Sequence, residues 1–182
     1  MNGQLWWYVA RATGLVAWAL LALSTALGVV VTARGASVRR PAWFVDFHRG
    51  LSGLACVFVA GHLVAILADS FANLGVLDLL VPMRSSLSPG ALAWGIVALY
   101  LLVAVEATSL AQRRLPYRFW RRVHYLGLGV FLLSTIHGLL AGTDVDNRAL
   151  LATGTLTTLG CVWLILRRSR SGRVGSEAIV LE

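Results

Sequence analysis

Lysine is absent from this chain: all sixteen of its basic residues are arginine. Charge of either sign is scarce, at 13% of 182 residues against 58% apolar. A soluble domain of this length carries about 25% charged residues, so the scarcity places the chain among membrane proteins. Cysteine is limited to Cys56 and Cys161, each inside an apolar run. That excludes a disulfide framework or a thiolate metal site and predicts two small buried residues. No G-x-G-x-x-G follows a strand, and about sixteen residues follow the last apolar stretch, so no flavin or nicotinamide domain is expected. The sequence pI of about 11 raises nucleic acid as a partner. The arginines, however, sit at the ends of apolar stretches, where they act as topology signals, and no nucleic acid is expected.

What is present is a series of long apolar runs. They predict an all-α membrane protein, a five-helix transmembrane bundle with helices at 6–33, 41–68, 91–112, 117–141 and 148–166. Pro41 suits the first turn of the second helix, Pro116 precedes the fourth, and Pro89-Gly90 separates the second loop from the third helix. The first run has no basic leader and is too long for a cleaved signal, so it is read as a retained helix. Arginine is concentrated in the 1–2 connection (Arg34, Arg39, Arg40), the 3–4 connection (Arg113, Arg114, Arg118) and the tail (Arg167, Arg168, Arg170, Arg173). This puts the N-terminus outside and the C-terminus in the cytoplasm, in a bacterial-type plasma (inner) membrane. Residues 1–168 form the expected membrane domain, and 169–182 a basic, disordered cytoplasmic tail. Trp6, Trp7 and Tyr8 mark the outer interface; Trp43, Tyr117 and Trp120 mark the inner one. The apolar segment Val76–Val81 of the outer 2–3 loop is expected to be a short amphipathic piece along the outer surface or a re-entrant one.

Histidine occurs four times, and each instance lies in a predicted span: His48 and His62 on the second, His124 and His137 on the fourth. Ionisable residues are costly in lipid and usually functional there. The two helices run parallel, so His48 pairs with His124 near the cytoplasm and His62 with His137 near the outside. A fourteen-residue step rises about 21 Å within a hydrocarbon core of about 30 Å, which sets one pair in each leaflet. Two imidazoles facing each other at one depth are what the iron of a b-type haem takes as axial ligands. The lack of C-x-x-C-H excludes covalent c-type attachment. Two such levels imply two haem b groups and an electron path across the bilayer. A single membrane histidine is ordinarily a hydrogen-bonded packing residue, but four at matched depths make a poor case for packing. A histidine-based metal transporter is a further alternative, although it would add carboxylate, cysteine or methionine ligands, which are not found at these levels.

Fourteen residues at about 100° each return His62 to within about 40° of His48, whereas thirteen leave His137 about 140° from His124. A distortion is therefore expected between Gly127 and His137. Gly50, Gly53, Gly61, Gly127, Gly129 and Gly138 flank the histidines. They either leave room for a flat macrocycle or serve ordinary helix contacts. Arg11, Arg49, Arg121 and Arg122 are candidate partners for haem propionates, with Arg118 inside and Arg84 and Arg148 outside as further choices. For Arg11, within the first helix, snorkelling to headgroups is the alternative. Glu106 is expected to pair with Arg113 or Arg114 or to take part in proton uptake. Phe131, midway between His124 and His137, stands between the two levels either as packing or between the haems.

The segment Trp120-Arg121-Arg122-Val123-His124, with Thr108-Ser109 upstream and His137-Gly138 downstream, resembles the W-R-x-x-H…H pattern of the ferric reductase-like transmembrane domain family. The opening Tyr8-Val9-Ala10-Arg11-Ala12-Thr13-Gly14 is similar as well. The resemblance runs over roughly residues 5–165. It includes ferric reductases, NADPH oxidases and the haem-binding membrane subunit of a periplasmic methionine sulfoxide reductase. It implies b-type haem on His48, His62, His124 and His137 and outward electron flow. Larger members carry a cytoplasmic flavin and nicotinamide domain, and many have six helices. The expected donor is therefore a separate flavoprotein or a membrane quinol. The acceptor is ferric iron, oxygen or an external reductase partner, and the chain is an electron-transfer subunit in contact with membrane lipid. The alternative is a haem-containing anchor subunit of a redox complex.

Overall fold

The computed structural model describes residues 2–33, 42–70, 72–142, and positions 152, 155–156, 158–160 and 162–163. All regular structure among them is helical. The long helices are α1 (Asn2–Ala33), α2 (Ala42–Ala68) and α4 (Pro89–Leu110). A fourth span is built from α5 (Tyr117–His124) and α6 (Gly127–Ala141), and α3 (Val76–Leu80) is a short helix in the connection before α4. Four helical stretches are long and apolar enough to cross a bilayer, with mean hydropathies of 1.6 to 2.2. Their middles present large apolar side chains outward: Val57 is 65% exposed and Val103 57%. A water-soluble bundle does not expose such continuous apolar faces. This is an integral membrane protein. The fifth expected span and the basic tail fall largely or wholly outside the described residues, as do Arg34, Arg39, Arg40 and Arg148.

The molecule is assembled from two helical hairpins. α1 packs along α2, α4 packs along α6, and α1 also touches α6 to join the halves. Among the described residues no comparable packing joins α2 to α6, the two helices that carry histidine at the outer level. The joint between the hairpins sits at mid-span. There Phe131, 2% exposed, packs with Ala22, Trp18 and Ala26. The Trp18 ring stacks on Phe131 at 6.4 Å, and its indole Nε1–H donates to Thr135 Oγ at 2.9 Å. Phe131 thus belongs to the packed layer between the two histidine levels.

Several expectations need correction. Pro89-Gly90 does not stand before the helix: Pro89 opens α4 in its first turn, where its missing N–H costs nothing. Ser88 before it adopts a left-handed conformation, φ 42°. The break in the fourth span lies at Tyr125–Leu126, upstream of the segment expected to carry it. There Leu126 N–H bonds to Val123 O at 2.9 Å and Leu128 N–H to Tyr125 O at 3.2 Å, the i to i−3 pattern of a tightened turn. Residues wound at about 120° rather than about 100° carry His137 toward the face of His124. Cys56 is a free thiol and is partly exposed, not buried. The surface segment is helical as α3, and its Asp78 pairs with Arg84 at 3.3 Å.

Candidate haem-ligand site

Two histidine pairs face each other across the gap between the hairpins. The His48 and His124 ring centroids are 6.0 Å apart and the His62 and His137 centroids 6.4 Å, both with ring planes inclined at 77°. The structure therefore brings together the residues matched by depth in the sequence.

Each ring is held on its Nδ1 side by the neighbouring helix of its own hairpin. His62 Nδ1 lies 2.7 Å from the Ala10 carbonyl and His137 Nδ1 2.8 Å from the Ala91 carbonyl. His48 Nδ1 is 3.0 Å from both the carbonyl and the hydroxyl of Ser24, and that hydroxyl is 2.9 Å from Ser52 Oγ. A carbonyl only accepts, so in these three residues Nδ1 carries the proton and Nε2 keeps its lone pair. His124 differs. Its Nδ1 lies 3.4 Å from Ser109 Oγ, and its ring stacks on Trp120 at 4.9 Å.

Those carbonyls belong to intact helices, whose outer surface is normally shielded by the side chain one turn on. Here that residue is glycine. A Cβ on Gly14 would lie 3.0 Å from His62 Nδ1, one on Gly95 2.8 Å from His137 Nδ1, and one on Gly28 3.5 Å from His48 Cε1. The glycines that make room for the rings thus lie on the opposing helices, four residues after each accepting carbonyl. Of those flanking the histidines in sequence, Gly50, Gly53, Gly127 and Gly138 face open space. Gly61 lies near Thr13, and Gly129 near Leu101.

A cavity of about 140 Å³ opens beside the His48–His124 pair, lined also by Ser24, Ser52, Tyr125 and Glu106. Glu106 thus faces the cavity, and among the described residues no ion pair joins it to Arg113 or Arg114. The candidate propionate partners are dispersed. Arg11 lies over the Trp7 ring at 4.6 Å. Arg49 and Arg122 are exposed. Arg121 donates to Tyr117 Oη at 2.7 Å and to Tyr125 Oη at 2.9 Å, and Arg84 is engaged by Asp78. Arginine, tyrosine and tryptophan thus gather at the His124 end, where Trp120 stacks on the His124 ring.

The family described as ferric reductase like transmembrane component matches residues 13–139, a stretch that begins one residue before Gly14 and ends two after His137. No curated protein and no solved structure matches the chain.

Proposed function

The chain belongs to the ferric reductase like transmembrane component family, and from that premise we propose that it is a di-haem b-type membrane cytochrome. It moves electrons from a cytoplasmic flavoprotein or a quinol to an acceptor outside: ferric iron, oxygen or a partner reductase. The family membership and the apolar spans make it a membrane redox component. The finer reading rests on one observation, the two facing histidine pairs whose Nδ1 edges are already engaged.

The residues fit haem on the chemistry of the donor set. A haem would need only two protein ligands at each level, and the imidazoles of His48 with His124 and of His62 with His137 would supply them. Each level offers two imidazoles. Among the described residues no group of three or more His, Cys, Asp or Glu side chains gathers as a bare metal ion would require. The paired rings stand 6.0 Å and 6.4 Å apart by their centroids. α2 and α6 are left unpacked where a flat group would lie. A bound haem iron supplies one-electron redox chemistry.

The chain's own residues do the rest. The carbonyls of Ala10, Ser24 and Ala91 fix the tautomer of three ligands and strengthen their donor nitrogens. The Trp18–Phe131 layer fills the space between levels and excludes water there. The inner pair lies at the end bearing Arg113, Arg114, Arg118, Arg121 and Arg122, a basic face suited to the cytoplasmic side and to an acidic flavoprotein. In this orientation the N-terminus is outside, and a fifth span returns the C-terminus to the cytoplasm of a bacterial-type inner membrane.

The test is a dithionite-reduced minus oxidised spectrum of purified protein with a pyridine haemochrome count. Two low-spin b-type haems per chain are expected. A haem-free protein from haem-supplied cells overturns the reading, and a single haem removes the two-level path.

A further inference from the structure

Three of the four histidine seats obey one register, and the fourth breaks it. On α1 the accepting carbonyls are Ala10 and Ser24 and the shielding glycines Gly14 and Gly28, each fourteen residues apart, as are His62 and His48 on α2. On α4 the outer seat is Ala91 and Gly95. Fourteen residues on, the inner seat should be the Val105 carbonyl with glycine at 109, but the residue there is Ser109.

The neighbouring threonines show that the register is structural. Thr13 Oγ donates to Val9 O at 2.6 Å and Ala10 O at 3.1 Å. Thr108 Oγ donates to Ala104 O at 2.7 Å and Val105 O at 3.1 Å. Ala10 O receives His62 as well, so a threonine bond does not close a carbonyl to imidazole. At the position where the other three seats have glycine, this one carries the side chain of Ser109. Its hydroxyl is within reach of His124 Nδ1 at 3.4 Å and of the Trp120 indole N–H at 3.5 Å.

We infer that Ser109 is a positioning residue for His124, standing in place of the carbonyl-and-glycine seat and giving the inner level one ligand of weaker donor strength than the other three. A short bond from Nδ1–H to a carbonyl places partial negative charge on the imidazole and makes Nε2 a stronger donor. Stronger donation favours ferric over ferrous iron and lowers the reduction potential. A hydroxyl oxygen at 3.4 Å that also faces the Trp120 indole N–H is a far weaker acceptor for Nδ1–H. The outer level, with carbonyls at 2.7 Å and 2.8 Å, is thus the strongly donating pair, and the inner level is raised in potential by Ser109.

This rests on the di-haem reading, and the experiment separates the two. Purified full-length wild type, Ser109→Gly, Ser109→Thr and Ser109→Ala are titrated potentiometrically, with the two haems assigned through His48→Ala and His62→Ala. Ser109→Gly opens the Val105 carbonyl and is expected to lower the inner potential while the outer stays fixed. Ser109→Thr keeps the hydroxyl and titrates as wild type. Ser109→Ala strands Nδ1 and is expected to retain the inner haem about tenfold less tightly, with the outer haem unaffected. An unchanged inner potential in Ser109→Gly overturns the inference, as do equal shifts at both levels, loss of the inner haem in Ser109→Gly, or wild-type retention of the inner haem in Ser109→Ala. A haem-free wild type removes the parent reading, a result distinct from all of these.

Discussion

Gly95 and His137 meet so closely that a Cβ on the glycine would lie 2.8 Å from Nδ1 of the ring. The ring reaches the Ala91 carbonyl only because that carbon is missing. Gly95→Ala must therefore push His137 off its acceptor, at a cost of about 1–3 kcal/mol. The expected outcome is loss or weakening of the outer haem with the inner retained, read by haemochrome count. Gly28→Ala meets His48 at an ordinary 3.5 Å and should keep both haems.

Trp18 binds the two hairpins by its stack on Phe131 and by its bond to Thr135. Trp18→Phe keeps an aromatic ring but gives up the hydrogen bond, worth about 1 kcal/mol. Thermal unfolding in detergent should show a lower midpoint with haem stoichiometry unchanged. A loss of either haem would mean that this layer positions the ligands.

The orientation is open to a direct check. Alkaline phosphatase fused after Asp144 should be active, and fused after Arg118 inactive. The reverse pattern would put the arginine-rich end outside and invert the electron path.

The pairing of the histidines was legible because helix rise and parallel direction leave one match by depth, and the structure juxtaposes His48 with His124 and His62 with His137. The need for a distortion in the fourth span was legible from the angular deficit of a thirteen-residue spacing, but its place was not. Periodicity measures total winding and is blind to which residues supply it, here Tyr125–Leu126. Clearance for the imidazole rings is a separate matter from the glycines beside the histidines, because it is needed on the helix opposite each ring. The signal was present: Gly14 and Gly28 repeat the fourteen-residue step of His48 and His62, as antiparallel neighbours must if each glycine faces one ring. Ser109 and Trp120 stand in the family-like segment but in no such repeat, and their contacts with His124 come from the structure alone.

The account stands on which histidines share a haem, and two double variants measure that directly. His48→Ala/His124→Ala removes both ligands of one level, and His48→Ala/His137→Ala removes one ligand from each. Haem counted per purified chain should be one in the first variant and none in the second. One haem retained by His48→Ala/His137→Ala, with none in His48→Ala/His124→Ala, would show the ligands paired across levels and contradict the account.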